Sequence, residues 1–509
     1  MVATRLVNMA VGLVSIPVLI RYLGGNTFAA WALLLALSAA FSLLELGMSS
    51  IVVRFVALPA SNRDWGEGRL LIGRVWVLLI LSFGLGLLVT LQAARPLASW
   101  LGLPATQLMS PEGTVYAVYG AVMARAFLKS GLLSLFAARR FGAVAAVSLL
   151  QPLCSNLAAM AAALQFGRLD YALIAFWSAQ LAVLGVTCVL TRQMSLPAMD
   201  RHTLNLARLW ELALYGVATQ MDGWAQFINF QFDKFIVAGL VGLWGVAPYE
   251  VANRAVMALR SIPASGAETF LPTAMTQRVT QSEAWAWYEG STRLIAYALL
   301  LFIVAPLAIA PVFLYAWTGE MGYVGRWVFI ALAIGSAADV LAIPAATMAQ
   351  AEGRPAMQGR AALLSIAMNI PLSLMLVLHW GITGAAVGTA LAMLGGAAQL
   401  IVAVHRHFGR PVVPTLRSLA AFWPPVLVCV CWAAVTYLVF GAWFEALDPL
   451  LRFSRVTRAY PGVAALAVYA MCLVSMLLVE VRRGAFSLAE RRFLARALKL
   501  ERFGFGRTQ

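Results

Sequence analysis

Arg125 and Lys129 stand four residues apart in AVMARAFLKSGLL (121–133), a run otherwise as apolar as lipid. On a helix they share a face and repel each other unless an anion answers them. A guanidinium grips phosphate oxygens with a planar fork and an ammonium acts as a point charge, so the pair suits a phosphate-bearing group. Carboxylates occupy other apolar runs. Ser38, Ser42, Glu45 and Ser49 follow i, i+4, i+7, i+11, which is one helix face. The same kind of spacing carries Glu211, Tyr215, Thr219, Asp222, Gln226, Asn229 and Asp233, and then Glu250, Arg254, Ser261 and Glu268. Asp339 stands five residues before Pro344. Ionisable groups at hydrocarbon depth are costly and mark cavities and ion paths, whereas hydroxyls and amides also serve as hydrogen bonds between helices. For the serines near Glu45 the two readings stand equal. Two carboxylates along the middle and outer half of the 211–233 stripe favour a wet cavity. Glu250 and Arg254, four apart, can neutralise each other, while Lys234 and Arg260 lie off the stripes and can snorkel or pair locally.

The elements that must position these groups are membrane helices. Hydrophobic residues make up 62% of the 509 and charged residues 11%, with a mean hydropathy of +0.84, against roughly 25% charged in a soluble domain. Apolar runs long enough to cross a bilayer recur at 5–23, 27–54, 70–93, 114–137, 142–166, 170–191, 207–240, 245–275, 291–316, 325–350, 358–379, 382–406, 418–440 and 462–481. The expectation is an all-α integral membrane protein of fourteen spans. The short alternating segments of a β-barrel are absent. The net charge of +16 is scattered through short loops and a tail instead of forming a patch, which argues against nucleic acid. Arginines such as Arg69, Arg74, Arg139, Arg140, Arg192 and Arg208 flank alternate connections, while the opposite ones hold little beyond Arg21, Arg95, Arg168 and Arg326, so both termini are expected in the cytoplasm. The loop 441–461, with Arg452, Arg455 and Arg458, is the exception. The first run reads as a retained span, since no small-residue cleavage site ends it. After the last span, SLAERRFLARALKLERF opens with a capping-box pattern and reads equally as a basic helix on the inner leaflet or a solvated tail.

Cysteine and histidine add no metal chemistry. Cys154, Cys188, Cys429, Cys431 and Cys472 all fall inside apolar runs and read as packing. His202, His405 and His407 fall in cytoplasmic connections and His379 at the outer end of a span, positions where a solvated ring is expected. No cofactor is expected beyond a coupling proton or sodium ion.

The chain repeats. PVLIRYLGGNTFAAWALL (17–34) aligns with FIVAGLVGLWGVAPYEVA (235–252), pairing Gly24 with Gly242, Ala29 with Ala247 and Trp31 with Tyr249. GRLDYA (167–172) aligns with GITGAA (381–386), pairing Gly167 with Gly381. This gives an N-terminal lobe at 1–195 and a C-terminal lobe at 205–410, then two extra spans at 418–481 and the tail at 482–509. The shift conserves an even number of crossings, so the lobes share an orientation, as in transporters built from parallel repeats.

SIPVLIRYLGGNTFAAWALL, LLELGMSSIVVRFVA, FDKFIVAGLVGLWGVAPYEVANR, AQAEGRPAMQ and NIPLSLMLVLHWGITGAAVGTALA, in this order, resemble the polysaccharide biosynthesis flippases of the multidrug/oligosaccharidyl-lipid/polysaccharide exporter superfamily. The resemblance covers spans one to twelve. It implies a bacterial inner-membrane flippase, not an enzyme, that moves an undecaprenyl-pyrophosphate-linked oligosaccharide to the periplasmic leaflet for O-antigen, capsule or exopolysaccharide assembly. The partners it implies are the lipid-linked cargo, membrane lipids and the polysaccharide polymerase and chain-length machinery. It carries no catalytic motif, so site residues come from the stripes. Arg125, Lys129, Glu45 and Arg254 are the substrate candidates; Asp222, Asp233, Asp339 and Glu250 are the ion-coupling candidates, with Asp222 first by depth. The first lobe would thus be cationic and the second acidic. Counting from span ends places Glu45 and Lys129 at a common depth of roughly 13 Å, where they can pair. Arg125 is then left to meet the anionic head group. A lipid II flippase shares this logic. A multidrug antiporter fits the cationic pair poorly, and a membrane polymerase or glycosyltransferase lacks the loop it would need.

Overall fold

In the computed structural model of the chain, residues 2–52, 55, 65–198, 204–276, 281–354, 356–420, 422–446 and 455–483 are described. The tail beyond Arg483, Arg54, Arg63, His202 and Arg452 lie outside them. The first half contains α1 (Val2–Leu23), α2 (Gly25–Ser42), α3 (Trp65–Trp100), α4 (Pro111–Ala137), α5 (Phe141–Phe166) and α6 (Leu169–Leu190). The second contains α7 (Leu206–Phe227), α8 (Asp233–Leu240), α9 (Leu243–Thr276), α10 (Gln281–Leu299), α11 (Ala310–Thr318), α12 (Arg326–Leu341), α13 (Ile343–Ala351) and α14 (Ala356–His407). Two last helices are α15 (Trp423–Ala446) and α16 (Arg455–Arg483).

Among the described residues nine helices are long and apolar enough to cross a membrane, fewer than the fourteen runs of the sequence. The difference has physical causes. α14 is two spans folded back at Gly381, whose φ of 56° and ψ of −135° reverse the chain. α1 and α16 carry shorter apolar stretches, Val7–Leu23 and Pro461–Met476. The segment α7–α8 and the helix α9 fall short of the hydropathy of their neighbours because they carry the polar stripes. α7 and α8 are joined through a π-helical turn, Ile228–Phe232, which shifts Asp233 out of register with the residues before it. The seven-residue face expected from 211 to 233 therefore does not continue unbroken to Asp233.

Span two is also interrupted. α2 ends at Ser42, Leu43–Glu45 tighten into a 3₁₀ turn, and Leu46 and Gly47 take φ of 46° and 66°. Ser49, beyond that turn, does not continue the face of Ser38 and Glu45. Ser38 and Ser42 return their hydroxyls to Leu35 and Ala39 carbonyls of their own helix. The turn is where the halves meet: a Cβ on Gly216 of α7 would collide with the Leu46 carbonyl oxygen, and Gly47 N donates to Gln220 Oε1 at 3.0 Å. Only glycine at both positions permits that approach.

Within the first half α5 packs on α6 and α1, and α4 on α6, α3 and α2; within the second α14 packs on α12, α8 and α13. α9 packs against both α2 and α12, so one helix borders the two halves. Aligned glycines of the repeat share a positive φ: Gly24 and Gly242 have φ of 83° and 105°, Gly167 and Gly381 φ of 61° and 56°. Ala29 and Ala247 are both buried.

The Gly47–Gly216 contact has a direct test. Gly216→Leu is expected to lower stability by about 1–3 kcal/mol, the usual cost of overpacking. The same change at Gly120, where a Cβ meets nothing within 4 Å, is expected to leave the melting temperature of the detergent-purified protein unchanged.

Candidate functional site

Glu45 is buried where the 3₁₀ turn closes, facing α4. Arg125 Nη2 donates to its Oε1 at 2.9 Å and Lys129 Nζ to its Oε2 at 2.9 Å. The pairing of Lys129 with Glu45 expected from depth is present. The expectation that Arg125 lacks a partner is corrected: a carboxylate has two oxygens, and here each holds one cation. Two cations and one anion leave a single surplus positive charge. Among the described residues Arg125 Nε is buried without a hydrogen-bond partner, so the guanidinium retains donor capacity.

A second carboxylate is shared in the same way. Glu250 on α9 is held by Lys234 Nζ of α8 at 2.5 Å and by Arg254 Nε, one turn along α9, at 2.6 Å. The Lys234 side chain is 0% exposed, whereas Arg254 remains 42% exposed. Glu250 and Arg254 line a cavity of about 220 Å³ whose remaining walls come from the first half, among them Ser15, Trp31, Asn156 and Gln180. Arg254 thus presents a positive charge from one half into a polar and aromatic recess of the other. Of the two expectations for Lys234, snorkelling or pairing locally, the structure shows pairing: it is wholly buried, and the Glu250–Arg254 pair expected to cancel becomes a triad with one surplus positive charge. The expected division into a cationic first lobe and an acidic second one is corrected accordingly.

Asp233, next to Lys234 in sequence, belongs to a different network. Its Oδ2 accepts from Tyr249 and Thr389 hydroxyls, and its Oδ1 is buried with no hydrogen-bond partner among the described residues. Asn369 Nδ2 reaches Thr389 Oγ1 at 2.9 Å and Asn229 Oδ1 at 3.2 Å, and Ser373 Oγ donates to the Ala385 carbonyl at 3.2 Å. A free carboxylate oxygen, hydroxyls, an amide and a carbonyl brought together from α8, α9 and both arms of α14 form an all-oxygen donor set, which fits a hard cation. No group of three or more His, Cys, Asp or Glu that could hold a metal ion occurs among the described residues.

Asp339 ion-pairs with Arg260 on the wall of a larger cavity of about 560 Å³ inside the second half. Gln226 and Asn229 of the 211–233 stripe line it, as does Ser261 of the α9 stripe. Glu211 faces outward and pairs with Arg208 at 2.7 Å. Asp222 lies on α7, but its side chain, like that of Glu268, is outside the described residues. His405 is corrected from solvated to buried: its ring contacts Tyr288 at 3.3 Å and stacks edge-on to Trp285. Cys429 and Cys472 pack together in the interior, 3.6 Å apart, while Cys431 is exposed. Sequence reasoning left Lys234 and Arg260 to snorkel or pair locally without naming their partners, Glu250 and Asp339, and missed Tyr249, Asn369, Ser373 and Thr389 as site residues. One signal was available: Ser365, Asn369 and Ser373 recur every four residues in an otherwise apolar span.

No family model and no curated protein matches the sequence. Solved structures do. A lipid II flippase, MurJ, in an inward closed conformation superposes with a TM-score of 0.66 at 12% identity, covering 94% of this chain and 100% of that one. An inward-facing multidrug resistance MATE family transporter of the MOP superfamily gives a TM-score of 0.53 at 14% identity, over 80% of this chain and 94% of that one. A MATE in complex with MaL6 gives 0.50 at 16% identity over the same shares. The chain therefore has the all-α, multi-pass membrane fold of these transporters, the fold that the sequence resemblance implied.

The shared carboxylate predicts an asymmetry. Glu45→Ala leaves Arg125 and Lys129 as unanswered neighbours and is expected to cost about 3–5 kcal/mol, the scale for breaking a buried pair. Lys129→Ala is expected to cost less because Arg125 still holds Glu45, and Glu45→Ala/Lys129→Ala to recover part of the loss. Unfolding of the purified protein in detergent, read as a double-mutant cycle, checks the order.

Proposed function

We propose that this protein is a flippase that carries an undecaprenyl-pyrophosphate-linked oligosaccharide from the cytoplasmic to the periplasmic leaflet of a bacterial inner membrane, by alternating access coupled to a cation gradient. The reading rests above all on Arg254, a half-exposed guanidinium anchored by a buried carboxylate and presented into a cavity between the halves. The fold, and the second surplus charge at Arg125 and Lys129, support it.

The mechanism follows from the chain's own groups. A pyrophosphate brings negative charge to a site where each carboxylate is already shared by two cations. It can bind the surplus charge without uncovering an unpaired Glu45 or Glu250. Arg254 extends from α9, which borders both halves, so an anion at its guanidinium adds an attraction between them. The Gly47–Gly216 approach near one end and Trp100 against Gly239 near the other are the contacts that rocking would exchange. A small cation at Asp233 would bind its free Oδ1 and the neighbouring oxygens, drawing α8 and the two arms of α14 together. The protein makes and breaks no covalent bond in this cycle. Both termini lie in the cytoplasm in this reading, and the polymerase and chain-length machinery receive the cargo outside.

A second reading keeps the mechanism and changes the cargo to lipid II, favoured by the extent of the superposition on MurJ. One experiment separates them. Deleting the gene and following radiolabelled undecaprenyl-linked sugars is expected to show a lipid-linked oligosaccharide accumulating on the cytoplasmic side with loss of surface glycan. Accumulation of lipid II selects the second reading, and no accumulation of either lipid contradicts both. In complementation, Arg254→Ala and Arg125→Ala are expected to restore export poorly; full activity of the Arg125 variant removes that residue from the mechanism. Sodium or acid is expected to raise the melting temperature of the purified wild-type protein, and Asp233→Asn is expected to abolish that rise.

A further inference from the structure

The larger cavity has no part in head-group binding as described above. It lies inside the second half, between α7, α9, α12, α13 and α14, with Arg260 and Ser261 of α9 on one wall. Gln350 and Gln358 line its end beside the turn between α13 and α14, where Gln350 Nε2 donates to Gln358 Oε1 at 2.7 Å. The opposite end is formed by Asn229 and Ser365. These two are hydrogen-bonded to each other in both directions, Asn229 Nδ2 to Ser365 Oγ at 3.1 Å and Ser365 Oγ to Asn229 Oδ1 at 3.2 Å. Asn229 Oδ1 also accepts from Asn369, whose other partner, Thr389, bonds Asp233. A layer of hydrogen-bonded side chains, Asn229 and Ser365 on the cavity wall and Asn369 and Thr389 behind them, therefore connects a roomy cavity to the buried carboxylate of Asp233.

We propose that this cavity is the aqueous route by which a small monovalent cation reaches Asp233, and that the Asn229–Ser365 pair is its gate. The proposal rests on Asp233 being the cation-coupling group. Three properties of the wall fit a hydrated cation better than other occupants. Amides and hydroxyls, Gln226, Ser261, Thr347 and Gln358 among them, offer oxygens along its length. The Arg260–Asp339 pair carries no net charge, so the route neither traps a cation at Asp339 nor repels it. Arg260 also lies over the Phe230 ring, 4.6 Å from its centroid, which anchors that charge beside the gate instead of across it. No aromatic ring lines the cavity among the described residues, so it lacks the stacking face a sugar ring would use.

The gate works through the two ends of one amide. With Asn229 turned toward Ser365, its oxygen is engaged by Ser365 and Asn369 and the layer is shut. Rotation of Asn229 or Ser365 frees that oxygen to replace one water of an entering cation, so dehydration and opening occur together. Cation at Asp233 and water in the cavity are then linked through Asn369, and each biases the other.

The test uses the full-length protein with its five native cysteines replaced by serine, purified and loaded with radiolabelled sodium. Ser365→Cys is a near-isosteric probe. A charged, water-soluble methanethiosulfonate reagent is expected to modify the thiol of this variant, sodium is expected to slow that modification, and the modified protein is expected to exchange sodium at least an order of magnitude more slowly with its equilibrium binding retained. Ala362→Trp, which obstructs the cavity short of the cluster, is expected to slow exchange in the same way. Failure of the reagent to modify the Ser365→Cys variant, or sodium exchange unchanged in both the modified protein and the Ala362 variant, overturns the route while leaving Asp233 as the binding group. Sodium binding undiminished in Asp233→Asn overturns the cation reading of Asp233, and the route with it.

Discussion

A charge placed at hydrocarbon depth must be answered by another charge or by water, because lipid offers neither. In this protein a carboxylate answers two cations at once. Glu45 holds Arg125 and Lys129, and Glu250 holds Lys234 and Arg254. Each arrangement ties elements to one another: the 3₁₀ turn after α2 to α4 through Glu45, and α8 to α9 through Glu250. Each also leaves one positive charge that no carboxylate of its own triad cancels. Buried ion pairs are weak evidence for stability, since desolvation offsets most of their attraction. Their consequence here is an interior that holds surplus positive charge while its local carboxylates stay satisfied.

α9 connects this electrostatics to the architecture. It packs against α2 on one side and α12 on the other, and its polar residues divide accordingly. Glu250 and Arg254 face the recess of the first half, while Arg260 and Ser261 face the larger cavity of the second. Asp233 and Lys234, adjacent in sequence, point about 100° apart around α8 and so enter an oxygen cluster and an ion triad respectively. The oxygen cluster and the ion triad thus share no side chain.

Much of the fold was legible in hydropathy and much of the site was not, for identifiable reasons. Run length located the spans, and aligned glycines located the turns of the repeat, because a positive φ restricts the residue that can stand there. Depth counting found the Lys129–Glu45 pair. It missed Arg125 as a second partner because pairing was counted one to one. Lys234 was discounted for lying off a helical stripe, yet its partner stands on the next helix, which no single-helix periodicity reports. The interruptions at Leu46–Gly47 and at Ile228–Phe232 are local departures from α geometry that spacing arguments assume away. Asn369, Ser373 and Thr389 gain meaning only when the fold brings both arms of α14 against Asp233.

The central claim is that surplus positive charge held on shared carboxylates selects a pyrophosphate-bearing lipid. Native mass spectrometry of the purified protein offers the most direct measurement, with two lipids of identical polyprenyl chain, one carrying a pyrophosphate and the other an uncharged head, competing at equal concentration. The account predicts that the pyrophosphate lipid is retained preferentially and that Arg254→Ala removes the preference without removing lipid binding. Equal retention of the two lipids by the wild-type protein would contradict it.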